Sequence, residues 1–160
     1  MLKKVFSLAL AAVMALTLTA CTSKQAEAPD LNAFYTALCE QYGENFPANA
    51  DVAADPEMLE MLYPGLAAIE TRQRVIYQPM MGAVVCEIAL IEVANADDLP
   101  AVQDILQARI DAQVEGGAWY PESIEGWQND SRIVTEGNCI MMIAYQECDA
   151  IADSFRGLFR

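Results

Sequence analysis

The chain has 160 residues, with 9 Lys and Arg against 23 Asp and Glu and no histidine, for a formal net charge of −14. Without histidine there is no Ser-His or Cys-His nucleophile activation, no His-ligated zinc and no imidazole pH switch. A surface this acidic repels nucleic acid, because the phosphate-neutralising contacts that drive such binding are missing, and it repels anionic lipid head groups for the same reason.

The N-terminus opens on Lys3 and Lys4, followed by an apolar stretch from Val5 to Leu18 broken only by Ser7 and Thr17. That length suits the apolar segment of a signal peptide, ~7–15 residues, and falls short of the ~20 that a spanning helix needs. Leu18-Thr19-Ala20-Cys21 closes the stretch. Small residues there admit a peptidase to the backbone, and a cysteine directly after Leu-Thr-Ala looks like the lipobox of bacterial lipoproteins. The competing reading is a secreted protein in which Cys21 is incidental. The lipoprotein reading expects residues 1–20 to be cut away as a signal peptide. Cys21 would then carry a diacylglyceryl anchor that holds the domain at the outer face of the cell membrane. Two acyl chains suffice, since each buried methylene contributes about 0.8 kcal/mol and one chain alone holds only marginally. Without Lys3 and Lys4, 7 basic and 23 acidic residues leave a net −16.

Residues 21–29 read as the lipidated cysteine and a flexible polar tether, and residues 30–160 as a single domain. Asp30 caps an amphipathic helix carrying Leu31, Phe34, Tyr35, Leu38 and Tyr42, which ends near Gly43. Asp55-Pro56-Glu57 places a cap, a first-turn proline and an acid at the start of a second, short helix that stops at Tyr63-Pro64-Gly65. Arg72 to Met80 and Val84 to Val93 read as strands joined around Gly82. The second is apolar on both parities apart from Glu87 and Glu92, which predicts a central strand covered on both faces. Asn95 to Asp98 is a turn and cap before a long helix lined by Leu99, Val102, Ile105, Leu106, Ile110 and Val114 and stopped by Gly116-Gly117. Trp119 to Asn129 reads as an aromatic, acidic connection. Arg132 to Thr135 and Cys139 to Tyr145 form a hairpin around Glu136-Gly137-Asn138, and a last helix presents Cys148, Ile151, Phe155 and Leu158. The expected fold is α+β: a mostly antiparallel sheet of about four strands in a β-β-α-β-β-α order, preceded by two N-terminal helices. The long and C-terminal helices are expected to cover one face.

Candidate chemistry is sparse. Cys39, Cys86, Cys139 and Cys148 permit two disulfides with three connectivities, and equally suit buried free thiols acting as small hydrophobes. No CxxC spacing occurs, which argues against a thioredoxin-like or zinc site. Glu122 and Glu125 are the only acids set among aromatics, beside Trp119, Tyr120 and Trp127. That segment is a candidate ligand-binding surface for a sugar or peptide ring. The plainer reading folds Trp119 and Tyr120 back over the core and leaves the acids solvated. Asp97-Asp98 suits helix capping better than calcium. Met80-Met81 and Met141-Met142 suit core filling better than copper. No catalytic residue, cofactor or metal is expected.

Landmarks at Leu62-Tyr63, Pro79-Met80-Met81, Glu87-Ile88-Ala89, Arg109, Tyr120-Pro121, Gly137-Asn138 and Phe155 follow one another in order. On these the chain, from Met61 onward, resembles an uncharacterised lipoprotein family of Clostridia-type Gram-positive bacteria, domain of unknown function 4358. Cys139 stands where such proteins usually carry an aromatic residue, and Ser123 where they tend to carry glutamine. The resemblance implies an α+β extracytoplasmic module on a lipid anchor and brings no activity with it. The function expected is therefore a non-catalytic binding or accessory module of the cell envelope, whose partner is an envelope protein or wall component. The alternatives are a small wall-glycan or peptide hydrolase working through Glu122 or Glu125, and a lipoprotein that captures a solute or cation on its acidic surface.

Overall fold

The computed structural model describes residues 28–160. The leader-like run, Cys21 and most of the polar tether lie outside the described residues. Ten elements follow in order: α1 (Leu31–Tyr42), β1 (Ala50–Asp51), α2 (Pro56–Leu62), β2 (Thr71–Gln78), β3 (Glu87–Val93), α3 (Leu99–Ala112), α4 (Pro121–Asn129), β4 (Ser131–Glu136), β5 (Cys139–Ala144) and α5 (Cys148–Gly157). Among the described residues no helix is long and apolar enough to cross a membrane.

The strands make one antiparallel sheet in the order β1-β2-β3-β5-β4. The α+β class is as expected, and β3 lies at the centre with every residue buried. The sheet has a fifth strand, because Ala50 and Asp51 pair with Gln78 and Tyr77 at the edge of β2. The expectation that the long and C-terminal helices share a face is overturned. Side chains of β3 point alternately to opposite faces. Ile88 and Leu90 meet Leu31, Phe34 and Leu38 of α1 and Ile151 and Phe155 of α5. Ala89 and Ile91 meet Leu59 of α2, Val102, Leu106 and Ile110 of α3, and Trp127 of α4. The long helix α3 and the C-terminal helix α5 are therefore on opposite sides of a three-layer stack. An apolar central strand needs a cover on each face, and two hairpins in one sheet leave each following helix free to choose either.

Local chemistry accounts for the element ends. The Asp30 carboxylate accepts from the Ala33 amide at 3.0 Å and starts α1. Asp55 accepts from Glu57 and Met58 and starts α2. Before α3 the capping oxygen is that of Asn95, which accepts from the Asp97 amide, while Asp98 makes no cap bond. The β4–β5 hairpin turns through Gly137 and Asn138, and Gly137 takes φ +58. A positive φ at the first central position alone is the type II′ pattern, which matches the strand twist and favours glycine there.

The two ends of the sheet differ. At the upper end, Gln78, Glu87, Ala144 and Ser131 mark where β2 and β5 stop and β3 and β4 start. At the lower end lie Thr71, Val93, Glu136 and Cys139. The Gln73 side chain donates to the Pro29 carbonyl at 3.0 Å and accepts from the Leu31 amide at 2.9 Å. The chain therefore comes into the domain at the lower end.

Candidate binding surface

Of the large apolar residues exposed among the described residues, Met80, Met81, Trp119 and Tyr120 are carried by segments at the upper end, while Met61 stands on α2 and Leu158 at the lower groove. Residues 79–86 link β2 to β3, and residues 118–120 lead into α4. Ser123, buried in the first turn of α4, donates its hydroxyl to the Ala83 carbonyl at 2.8 Å. One turn on, Gly126 lies against Val85 so closely that an added Cβ would come within 3.1 Å of a Val85 methyl. The two segments are thus fastened side by side. From them Met80 (84 % exposed), Met81, Trp119 (89 % exposed) and Tyr120 project outward. The same segments also wall a cleft of about 350 Å³, where Glu122, Val84, Val85 and Gly126 face Glu44, Asn45, Asp130, Tyr145 and Gln146.

This arrangement splits the sequence-derived candidates. Trp119 and Tyr120 do not fold back over the core, contrary to the plainer reading. Glu122 and Glu125 are exposed on α4, and only Glu122 lines the cleft. Trp127 faces the interior at 4 % exposure. Residues 121–129 are a helix rather than a connection. Tyr120-Pro121-Glu122 repeats the proline-then-acid start already legible at Asp55-Pro56-Glu57. Met80 and Met81 are surface residues and not core filler, whereas Met141 and Met142 are fully buried, one on each face of the sheet.

Beneath this surface lies a polar contact that periodicity did not reveal. Glu87, at the start of β3, is 1 % exposed. Its Oε1 accepts from Arg109 Nε at 2.8 Å and its Oε2 from Arg109 Nη2 at 2.7 Å. The Tyr63 hydroxyl donates to the same Oε1. The Trp127 ring stands 5.5 Å from the guanidinium carbon, in cation–π range. Residues of α3, α4, β3 and the end of α2 are thereby joined at one buried point. Burial, reinforced by the Glu87 carboxylate, holds the Tyr63 phenol well above its ordinary value. Burial opposes the Arg109 charge, but Glu87 outweighs it and leaves the guanidinium above its ordinary value. The two charges neutralise each other, and the group fastens the elements that meet there. Three landmarks of the family resemblance, Tyr63, Glu87 and Arg109, are its members. The available signal was Glu87 itself, since a carboxylate in a strand covered on both faces must find a partner.

The lower end holds a wider groove of about 950 Å³ between Ala28, Pro29, the Gly137-Asn138 turn and Leu158 to Arg160. Glu92 lines it, its two oxygens taken by Arg72 Nη1 at 3.3 Å and Gln73 Nε2 at 2.8 Å. Cys139 is part of the lining.

The four cysteines of the described residues are free thiols. Cys86, Cys139 and Cys148 are buried and Cys39 is half-buried. Burial pushes Cys86 up to about 12 and Cys139 up to about 11. Among the described residues, no three Cys, Asp or Glu side chains are grouped so as to hold a metal ion.

No curated protein and no solved structure matches the chain. A family model does, over residues 47–145, spanning the five strands and the α2, α3 and α4 layer and leaving α1 and α5 outside the match. By that match, which covers more than half its length, the chain belongs to the family described as Domain of unknown function (DUF4358).

Proposed function

We propose that the protein is an extracytoplasmic lipoprotein, held to the outer face of the cell membrane by a diacylglyceryl group on Cys21, and that its domain is a non-catalytic binding or accessory module of the envelope. The observation that carries this reading is an opposition of ends. A leader-like sequence and Cys21 precede a domain whose chain comes in at the lower end, and Met80, Met81, Trp119 and Tyr120 stand exposed at the upper end. Exposed aromatic and thioether side chains on two segments fastened to each other are what a docking module presents. Its placement turns it away from the membrane and toward whatever the envelope offers. The buried Glu87–Arg109–Tyr63 contact supports the non-catalytic part, since the most shielded ionised groups near that surface already satisfy one another.

The test is metabolic labelling of the full chain in a bacterial host with an alkynyl palmitate, followed by intact-mass analysis of the membrane fraction. The native chain is expected to take up the label and to begin at Cys21, and Cys21→Ala to remain unlabelled. A bare Cys21 thiol, or a retained leader, would overturn the reading.

A further inference from the structure

We infer that the upper end of the domain docks a cationic amphipathic segment of a partner protein. The apolar side of that segment would lie on Met80, Met81, Trp119 and Tyr120, and a lysine or arginine would enter the cleft between Glu44, Glu122 and Asp130. The inference rests on the binding-module reading above and names the chemistry of the partner.

The exposed apolar residues and the acidic cleft are carried by the same two segments. Residues 79–86 supply the methionines on one side and Val84 and Val85 on the other, residues 119–126 supply Trp119 and Tyr120 as well as Glu122, and the Ser123–Ala83 hydrogen bond fastens the two segments together. Methionine and tryptophan give such a surface adaptable, large contact area.

Charge selects the occupant. Three carboxylate residues line the cleft, and no lysine or arginine of the described residues does. The arginines of the described residues are engaged or remote. Arg109 is spent on Glu87, Arg156 on Asp153, Arg72 on Glu92, and Arg74 on the Leu66 and Ile69 carbonyls. Arg132 pairs with Asp149 and also attracts Asp130, so Glu44 and Glu122 are the carboxylates of the cleft that no arginine approaches. Arg160 lies at the lower groove. The three carboxylate residues are not grouped as metal ligands. A guanidinium or ammonium on a flexible stem can reach such a dispersed set where a bare metal ion cannot. An anionic lipid surface is disfavoured by charge and by position, because the chain comes in at the opposite end.

The experiment places the full lipidated chain in nanodiscs of zwitterionic lipid and titrates a fluorescein-labelled Leu/Lys amphipathic peptide, with empty nanodiscs and a Leu/Glu peptide as references. Fluorescence anisotropy should show binding of the Leu/Lys peptide alone, weakening as salt is raised. Trp119→Ser with Met80→Ser, and separately Glu44→Gln with Glu122→Gln and Asp130→Asn, should each weaken it about tenfold or more. A charge-matched set, Glu70→Gln with Asp97→Asn and Asp104→Asn, should leave it unchanged. Equal binding by all variants, or by the Leu/Glu peptide, overturns the inference. Self-association of the full chain that Trp119→Ser abolishes also overturns it, by making a second copy the occupant. If the peptide fails to bind while palmitate labels Cys21, the docking inference falls and the location stands.

Discussion

Arg109 grips Glu87 with two hydrogen bonds, Nε to Oε1 at 2.8 Å and Nη2 to Oε2 at 2.7 Å, in a part of the core almost closed to water. The fork fits the carboxylate edge-on, and Tyr63 completes the coordination of Oε1. Desolvating both charges is costly, so the pair adds specificity of arrangement more than net stability. Removing one partner is a different matter. Glu87→Ala or Arg109→Ala should each destabilise the domain by about 3–5 kcal/mol, because the survivor is left charged, buried and unpaired. Glu87→Leu combined with Arg109→Met should recover most of that loss. Urea unfolding of the four proteins checks it, and a double variant as unstable as the singles would sink the argument.

Stability should fall at alkaline pH. Tyr63 is held well above its ordinary 10.0 by burial and by Glu87, while Cys86 rises from 9.0 to about 12 and Cys139 to about 11, both chiefly by burial. In each case the folded chain keeps a proton that the unfolded chain releases first. The unfolded state is then favoured as pH rises above the unfolded-state values. The stabilisation is complete below about pH 9 and declines from there upward. Melting temperatures should hold level from pH 8 to about pH 9 and decrease steadily from there to pH 11. Tyr63→Phe should flatten the part above pH 10 while lowering stability at neutral pH by about 1–3 kcal/mol, since Glu87 loses a donor. A pH-independent melting temperature over that range would contradict the account.

Thiol reactivity should separate the cysteines. Cys39 is half-buried, whereas Cys86, Cys139 and Cys148 are shielded and held protonated, the first two up to about 12 and about 11. Mass-tagging of the native protein with iodoacetamide should modify Cys39 first. The other three should follow only at the rate at which the domain opens. Tagging with and without reductant should give the same count for these four. A reductant-dependent gain would reveal a disulfide among them.

Ser123→Ala should loosen the upper surface without unfolding the domain. The lost hydrogen bond to the Ala83 carbonyl contributes about 1 kcal/mol. Hydrogen exchange of residues 80–85 should quicken while β3 and β5 keep their protection. Uniform exchange in this loop before and after substitution would show that Ser123 does not fasten it.

How far the sequence spoke depended on distance along the chain. Helix α1, the proline start of α2 and the apolar density of β3 are local signals, and each lay where it was read. Helix α4 has a local signal too, in Pro121-Glu122, but the aromatic and acidic residues around it favoured a loop reading. Strand β1 is two residues long and owes its existence to the edge of β2, so no pattern of its own could announce it. The side on which each helix packs is set by tertiary contacts between residues far apart, as when Ile151 and Leu106 take opposite faces of the same strand. The candidate surface was half legible. Trp119, Tyr120 and Glu122 stood out by composition, while Trp127 has the same chemistry and turns inward on the helix. Glu44 and Asp130 joined them only through folding.

The lower groove brings the first and last described residues together, with Ala28 and Pro29 on one wall and Leu158 to Arg160 on another. Adjacent ends make the order of elements partly arbitrary, because a short Gly-Ser bridge across them would let the chain be opened elsewhere. A circular permutant cut at Gly137-Asn138 should therefore keep the buried Arg109–Glu87 contact and both covered faces of the sheet. Its new ends would open at the same groove, because the Gly137-Asn138 turn also lines it, so the exposed residues of the upper end would keep their distance from any attached tether.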